Sequence, residues 1–191
     1  MKKRLGAFYV FGFLACVLFL QGCSEFTEYR FWQVYSMTEP VASSSKVFKD
    51  DNISVRFWLD EKKIHFQLKN LTDGPININW AKASFINIDG ASHPLANSSS
   101  IFTDKRNDPD PSELGAGEVV TDFIAPVDNV KKLEEWTWYV YPMFNLKDER
   151  AYENRGKTLG VNLPIQANEK WKVYAFRFKV TSVIPSLQHA H

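Results

Sequence analysis

The sequence predicts an all-β chain, an antiparallel sandwich or barrel of about eight or nine strands, and three observations carry that expectation. From Ile53 onward, short runs alternate apolar and polar residues, the period of two that turns one face of a strand toward a core. The runs follow one another closely, separated by turn clusters rather than by helical stretches. Aromatic residues make up 15% of the chain, β-branched residues are frequent, and helical heptads are missing.

The strands are preceded by a leader. Met1-Lys2-Lys3-Arg4 is a positive head, and Leu5 to Leu20 carries no charge, which is the layout of a secretory signal. Such a run, as helix, rises ~24 Å at ~1.5 Å per residue, short of the ~30 Å hydrocarbon core, and Gly6 and Gly12 dilute it further. A permanent membrane span is therefore the weaker reading. Leu20-Gln21-Gly22-Cys23 resembles the lipobox of bacterial lipoproteins, although Gln21 departs from the Ser or Ala more usual there. The resemblance implies cleavage between Gly22 and Cys23, a diacylglyceryl group on the Cys23 thiol and acylation, palmitate included, of the new amine. Two or three chains, at ~0.8 kcal/mol per buried methylene, would hold the protein in a membrane essentially permanently. By the sorting habit of that family, Ser24 after the cysteine implies the outer membrane where the host has two.

Loss of residues 1–22 removes Cys16 and leaves one cysteine, committed to lipid. Stability must then come from packing rather than disulfides. The remaining residues suffice for one domain that buries roughly 70% of its unfolded surface. Of 23 Lys and Arg, three leave with the leader, so 20 basic residues face 22 acidic ones and the balance is −2. No basic excess points to nucleic acid. The expected division is a signal peptide over 1–22, a lipidated tether over 23–50, a β-sandwich over 51–185 and a disordered tail over 186–191.

Within the tether, Phe26 to Tyr35 is too aromatic for a free linker, whereas Val41 to Ser45 is a loop by composition. The aromatic part either packs on the domain as an edge strand, the reading preferred here, or lies at the membrane interface. Ile53, Val55, Phe57 and Leu59 then alternate with Ser54, Arg56 and Asp60, and Ile64, Phe66 and Leu68 with His65, Gln67 and Lys69, as a hairpin. Asn70 to Pro75 is a turn. Ile76, Ile78 and Trp80 form a third strand, and Ala83 to Ile88 a fourth, closed by Asp89-Gly90.

Leu95 to Gly117 breaks the rhythm as a long loop around Ile101-Phe102, of the kind that is functional or mobile. Glu118 to Ala125 is a strand, and Asp128 to Glu135 reads as a short helix capped by Asp128. Trp136 to Tyr141 is a strand with large side chains on both faces. Leu146 to Gly156 holds a turn or two of helix ending at the glycine. Leu159, Val161, Leu163 and Ile165 alternate, with Pro164 suited to an edge or bend. After Ala167 to Lys170, Tyr174, Phe176, Phe178 and Val180 point inward on the closing strand. Taken together, the Asn70 turn, the strand ending at Trp80, the Pro-bearing loop before Gly115 and the Leu163-Pro164-Ile165 hairpin resemble small uncharacterised envelope lipoproteins. That resemblance implies an immunoglobulin-like sandwich over Ile53 to Val183 and brings no catalytic residues with it.

The residues themselves offer little chemistry. There is no Gly-x-Ser-x-Gly elbow and no free thiol after processing. His65 faces outward and His93 precedes Pro94 at a turn; both read as ordinary surface histidines. No zinc pattern exists, and no cofactor or metal is expected. Asp104, Asp108 and Asp110, with Asn107, are oxygen donors without the spacing of a calcium loop. Asn70 and Asn97 begin glycosylation sequons by chance. Trp58, Tyr139 and Tyr141 are rings that either face solvent or are covered, for example by Phe31-Trp32; the covered arrangement is expected. The function expected is non-enzymatic: a membrane-anchored binding or structural module. It would engage another envelope protein or a glycan through the loop of Asp104, Arg106, Asp108 and Asp110 and the neighbouring rings. The alternative is an envelope hydrolase whose site gathers His65, His93 and the loop aspartates.

Overall fold

Alternation becomes a core in the hairpin of β3 (Ile53–Leu59) and β4 (Ile64–Asn70), whose register pairs Phe57 with Phe66 and Val55 with Leu68. Ile53, Val55 and Phe57 on β3 and Ile64, Phe66 and Leu68 on β4 are buried, with Leu59 partly so. The protein is described as a computed structural model over residues 27–104, 109–134 and 137–189. Arg30–Ser186 form one compact unit. A second comprises Met1–Tyr29 with Leu187–His191, of which the described parts are strand ends. Among the described residues no helix is long and apolar enough to cross a membrane.

The chain is all-β, as expected, with antiparallel sheets facing each other. One sheet holds β13 (Lys170–His189), β12 (Thr158–Ala167) and β6 (Ser84–Ile86), with β1 (Thr27–Glu39) beside β13. Strand β5 (Ile76–Ile78) joins it through β12 and pairs with β8 (Ser112–Leu114). The other sheet runs β9 (Val119–Pro126), β4, β3 and β2 (Val47–Lys49). Strand β7 (Ser92–Asn97) belongs to both: Ser92 to Pro94 pair with β6, and Leu95 to Asn97 with β9. A strand that changes sheets in this way turns a corner of the sandwich. Between the outermost strands β1 and β2 the connecting loop folds back on β1, where Met37 and Ser43 exchange two backbone hydrogen bonds of 2.9 Å. The arrangement is thus a sandwich close to a barrel.

Rings from the two sheets interleave in the core. Phe57 lies 4.7 Å from Phe176 and 5.1 Å from Phe178, and Phe48 meets Phe176 edge-on at 5.7 Å. The aromatic segment of the tether contributes: Phe31, Tyr35 and Met37 are buried in the same cluster. Burial pushes the Tyr35 hydroxyl upward from its ordinary value, and it donates to Gln33 Oε1 at 2.7 Å. Residues 30–50 therefore pack as part of the unit, with β1 at a sheet edge.

Several elements differ from expectation, each for a local reason. Thirteen strands are described rather than eight or nine, the additional ones, such as β2, β7, β8 and β10 (Val130–Glu134), falling in stretches that read as tether, loop or helix. The strand through Ile76 stops at Ile78, because Asn79 accepts from the Lys82 amide and caps a 3₁₀ turn, Trp80–Lys82. Asp128 to Glu134 is not an α-helix, and Glu135 lies outside the described residues. After a 3₁₀ turn, Val127–Asn129, the segment runs as β10 (Val130–Glu134) against β11 (Thr137–Val140). Val130 and Val140 pair there and bury into a small second cluster with Ala96, Ile101 and Ala125. The long loop is shorter than 95–117. Leu95 to Asn97 belong to β7, and Asn97 and Ser100 form a reciprocal capping box that starts a short helix, α1 (Ser98–Phe102), with Ile101 buried. His93 and Pro94 lie within β7 rather than at a turn. Pro164 sits where β12 changes partner, between the Asn162–Ser84 pair with β6 and the Ile165–Ile78 pair with β5. Strand β13 runs to His189, past residue 186, where the sequence reading begins a tail.

Candidate binding surface

The outward positions of the second sheet carry a row of rings fixed by strand register. Trp58 pairs with His65, and His65 with Phe123 across β4 and β9. Because each occupies the face opposite the core, the rings line up across three strands. Trp58 and His65 stack in parallel at 5.5 Å with 4° between their planes, and Phe123 lies 6.1 Å from His65. Trp58 is 41% exposed, so the row is not covered by the Phe31-Trp32 segment as expected.

The β3–β4 turn clamps the row. Asp60 accepts from the Lys62 and Lys63 amides at 2.7 Å, and its Oδ2 lies 2.8 Å from His65 Nε2. Partial burial works against the Asp60 charge, but these bonds outweigh it and hold the carboxyl below its ordinary value. The charged turn also holds two ammonium groups over rings. Lys63 Nζ stands 3.9 Å from the Phe123 centroid. Lys62 Nζ lies 4.7 Å from that of Tyr139 and donates to its hydroxyl at 3.2 Å. Tyr139 meets Tyr141 edge-on at 4.8 Å, and both are exposed. Thus Lys62 ties the main sheet to the β10–β11 hairpin. On the other side of the turn a cleft of about 250 Å³ is lined by Arg30, Phe31, Trp32, Asp60, Glu61 and Lys62, with Arg30 and Glu61 paired at 3.4 Å.

The residues singled out from sequence separate on this surface. Tyr139 lies against Lys62 with Tyr141 beside it, whereas Trp58 stacks on His65. Asp104 meets the hairpin instead, 3.6 Å from Lys132, whose ammonium lies 5.3 Å from the Trp138 ring centroid. Asp110 is exposed just before β8. Arg106 and Asp108, like Gly22 and Cys23, lie outside the described residues. His93 is 2.8 Å from Asp128 and 3.2 Å from Asn87, so the two histidines have separate partners. Among the described residues no three His, Cys, Asp or Glu side chains are grouped to hold a metal. The sequon asparagines are both buried and structural, Asn70 in a turn and Asn97 in the capping box.

Sequence reasoning missed Lys62, Lys63 and Phe123, and Arg30 with Trp32. The two lysines read simply as a turn. Only the pairing of β4 with β9 and the docking of the hairpin show that they stand over rings. Comparison of the chain with family models, with curated proteins and with solved structures found no match.

Proposed function

We propose that the protein is a non-enzymatic envelope lipoprotein, anchored through Cys23 and probing its surroundings with a binding face. The face is the ring row Trp58, His65 and Phe123, continued by Tyr139 and Tyr141 and topped by Lys62 and Lys63. One observation carries this reading: exposed aromatic side chains are held in fixed positions by strand register and cation–ring contacts. Rigid rings with little conformational entropy to lose are what protein interfaces use as anchors. The partner class that suits them is another envelope protein. The anchor rests on the leader and the Leu20–Cys23 pattern, and the outer membrane on Ser24. The proposal includes an immunoglobulin-like form of the sandwich, supported by two facing antiparallel sheets with interleaved core rings.

Two measurements test it. Mass spectrometry of the N-terminal peptide from isolated membranes is expected to find a diacylglyceryl group on Cys23. An unmodified thiol, or a chain beginning at Met1, overturns the anchor. Crosslinking in intact envelopes is expected to give adducts that disappear in a Trp58→Ala/Tyr139→Ala variant. Adducts indifferent to those rings, or none, overturn the binding face. Hydrolysis of an envelope component that is lost with His65→Ala or His93→Ala would favour the hydrolase instead.

A further inference from the structure

A second polar and aromatic cleft lies on the outer face of the other sheet, away from the ring row. Its volume is about 370 Å³, within the ~300–1,000 Å³ range of small-molecule sites, and its walls are Asn79, Lys82, Ser84, Asn162, Pro164, Trp171 and Val173. Trp171 is 53% exposed and Val173 61%. Register places Val173 beside Pro164, and Asn162 beside Ser84, so an apolar strip adjoins a polar one across three strands.

The polar strip is held in place from the side, by Arg177 on the same face of the sheet. Gly160 has no side chain, and the Arg177 side chain fills that space: a Cβ on residue 160 would stand 2.6 Å from Arg177 Cδ and 2.5 Å from the Phe176 carbonyl oxygen. Lying flat there, Arg177 donates from Nη1 to Asn162 Oδ1 at 3.0 Å, to the Phe176 carbonyl at 3.0 Å and to the Val161 carbonyl at 3.4 Å. With its oxygen fixed, Asn162 turns its Nδ2 to Ser84 Oγ at 3.0 Å. Asn79 spends its oxygen on the Lys82 amide. What the cleft offers a ligand is therefore a set of donors: the Asn79 amide nitrogen, the second Asn162 N–H, the Ser84 hydroxyl and the Lys82 ammonium. Among the described residues no carboxylate lines it.

We propose that this cleft binds a pyranose bearing an acceptor group, either an acetamido carbonyl or a carboxylate. The indole of Trp171, with Val173 and Pro164, takes the C–H face of the ring, as aromatic surfaces stack on sugars. The donors take the acceptor group, whose carbonyl or carboxylate oxygens accept without donating; the hydroxyls of an unsubstituted neutral sugar accept too, but each also brings an O–H that a donor-rich wall does not satisfy. Binding here is independent of the ring row around Lys62, so either face can fail without the other.

The test is calorimetric titration of the full chain, in a detergent without a sugar headgroup, with N-acetylglucosamine oligomers, glucuronate oligomers and maltose oligomers. One of the first two is expected to bind at least about ten-fold more tightly than maltose. Trp171→Ala weakens that binding about ten-fold, a single stacked ring's worth. Lys82→Met discriminates the two acceptors, removing uronate binding but only weakening that of the acetamido sugar. Trp58→Ala leaves either unchanged. Trp171 is an exposed strand residue, and thermal melting verifies that its variant is folded. No binding, equal binding of maltose, or binding indifferent to Trp171 overturns the proposal.

Discussion

At the scale of single residues, Asn70 shows how a buried amide organises a turn. It is fully buried; its Nδ2 donates to the carbonyls of Gly74, Leu114 and Gly115 at 2.7, 3.1 and 2.9 Å, and its Oδ1 accepts from the Thr72 amide and hydroxyl. Removing such a group strands several polar atoms without water to replace it. Asn70→Ala is expected to cost about 2–4 kcal/mol in urea unfolding, with the slope unchanged. Asp50 is more exposed and ties the sheets differently. Burial disfavours its charge, but Lys172 at 2.8 Å, the Ile53 and Asn52 amides and the Tyr174 hydroxyl at 3.0 Å more than offset this and lower its pKa. A carboxyl lowered on folding stabilises above its unfolded value and ceases to do so as pH falls through its folded one. Wild type should therefore lose more melting temperature than Asp50→Asn between pH 7 and pH 3, with the difference opening below about pH 4. Parallel acid titrations of the two melts measure it, and coincident curves refute the linkage.

At the scale of elements, the β12–β13 hairpin carries a small built-in strain. Ala167 pairs with Lys170, and both turn residues have positive φ, Asn168 at 50° and Glu169 at 64°. Asparagine tolerates that region, whereas a glutamate pays ~1–2 kcal/mol for it. Glu169→Gly is expected to raise stability by about 1 kcal/mol, or about 2–4 °C in melting temperature. A decrease would mean that the Glu169 side chain contributes more than its backbone costs. The β10–β11 hairpin illustrates the opposite situation, in which local pattern misleads. Val130-Lys131-Lys132-Leu133-Glu134 suits a helix as well as a strand, and Leu133, the second apolar position, ends up 55% exposed. What selects the strand is Val130 pairing with Val140 and packing on Ala96 and Ile101 from elsewhere in the chain. The 95–117 region was legible as irregular, yet its Asn97–Ser100 capping box is a local signal present in the sequence and passed over.

For the Arg30–Ser186 unit taken whole, stability rests on one large core in which both sheets contribute rings. Phe57 touches the facing sheet at two points, Phe176 at 4.7 Å and Phe178 at 5.1 Å, more closely than Phe48 meets Tyr174 and Phe176. Phe57→Ala should cost about 3–5 kcal/mol, a large share of the ~5–15 kcal/mol typical of a domain. Guanidinium unfolding followed by intrinsic fluorescence provides the measurement, and a loss under ~1 kcal/mol would show that the sheets are not held together by this ring cluster. The alternation that predicted β3, β4, β12 and β13 was enough to identify their core residues, since period two leaves no choice of face. The binding surface was only half legible: the outward register of Trp58 followed from the same period, but neither its exposure nor its neighbours on β4, β9 and the hairpin did.

By itself the sequence determined the all-β class, the hairpins and the inward side chains, because these depend on residues two apart or joined by a short turn. It also bears the leader and the Leu20–Cys23 pattern on which the proposed anchor depends. Tertiary structure alone decided that β7 serves both sheets, that β1 packs at an edge, and that Lys62 and Lys63 stand over Tyr139 and Phe123. It alone laid Arg177 across Gly160 beside the Trp171 cleft. Such contacts join residues far apart in the chain, and no local periodicity encodes which distant strand a given edge will choose.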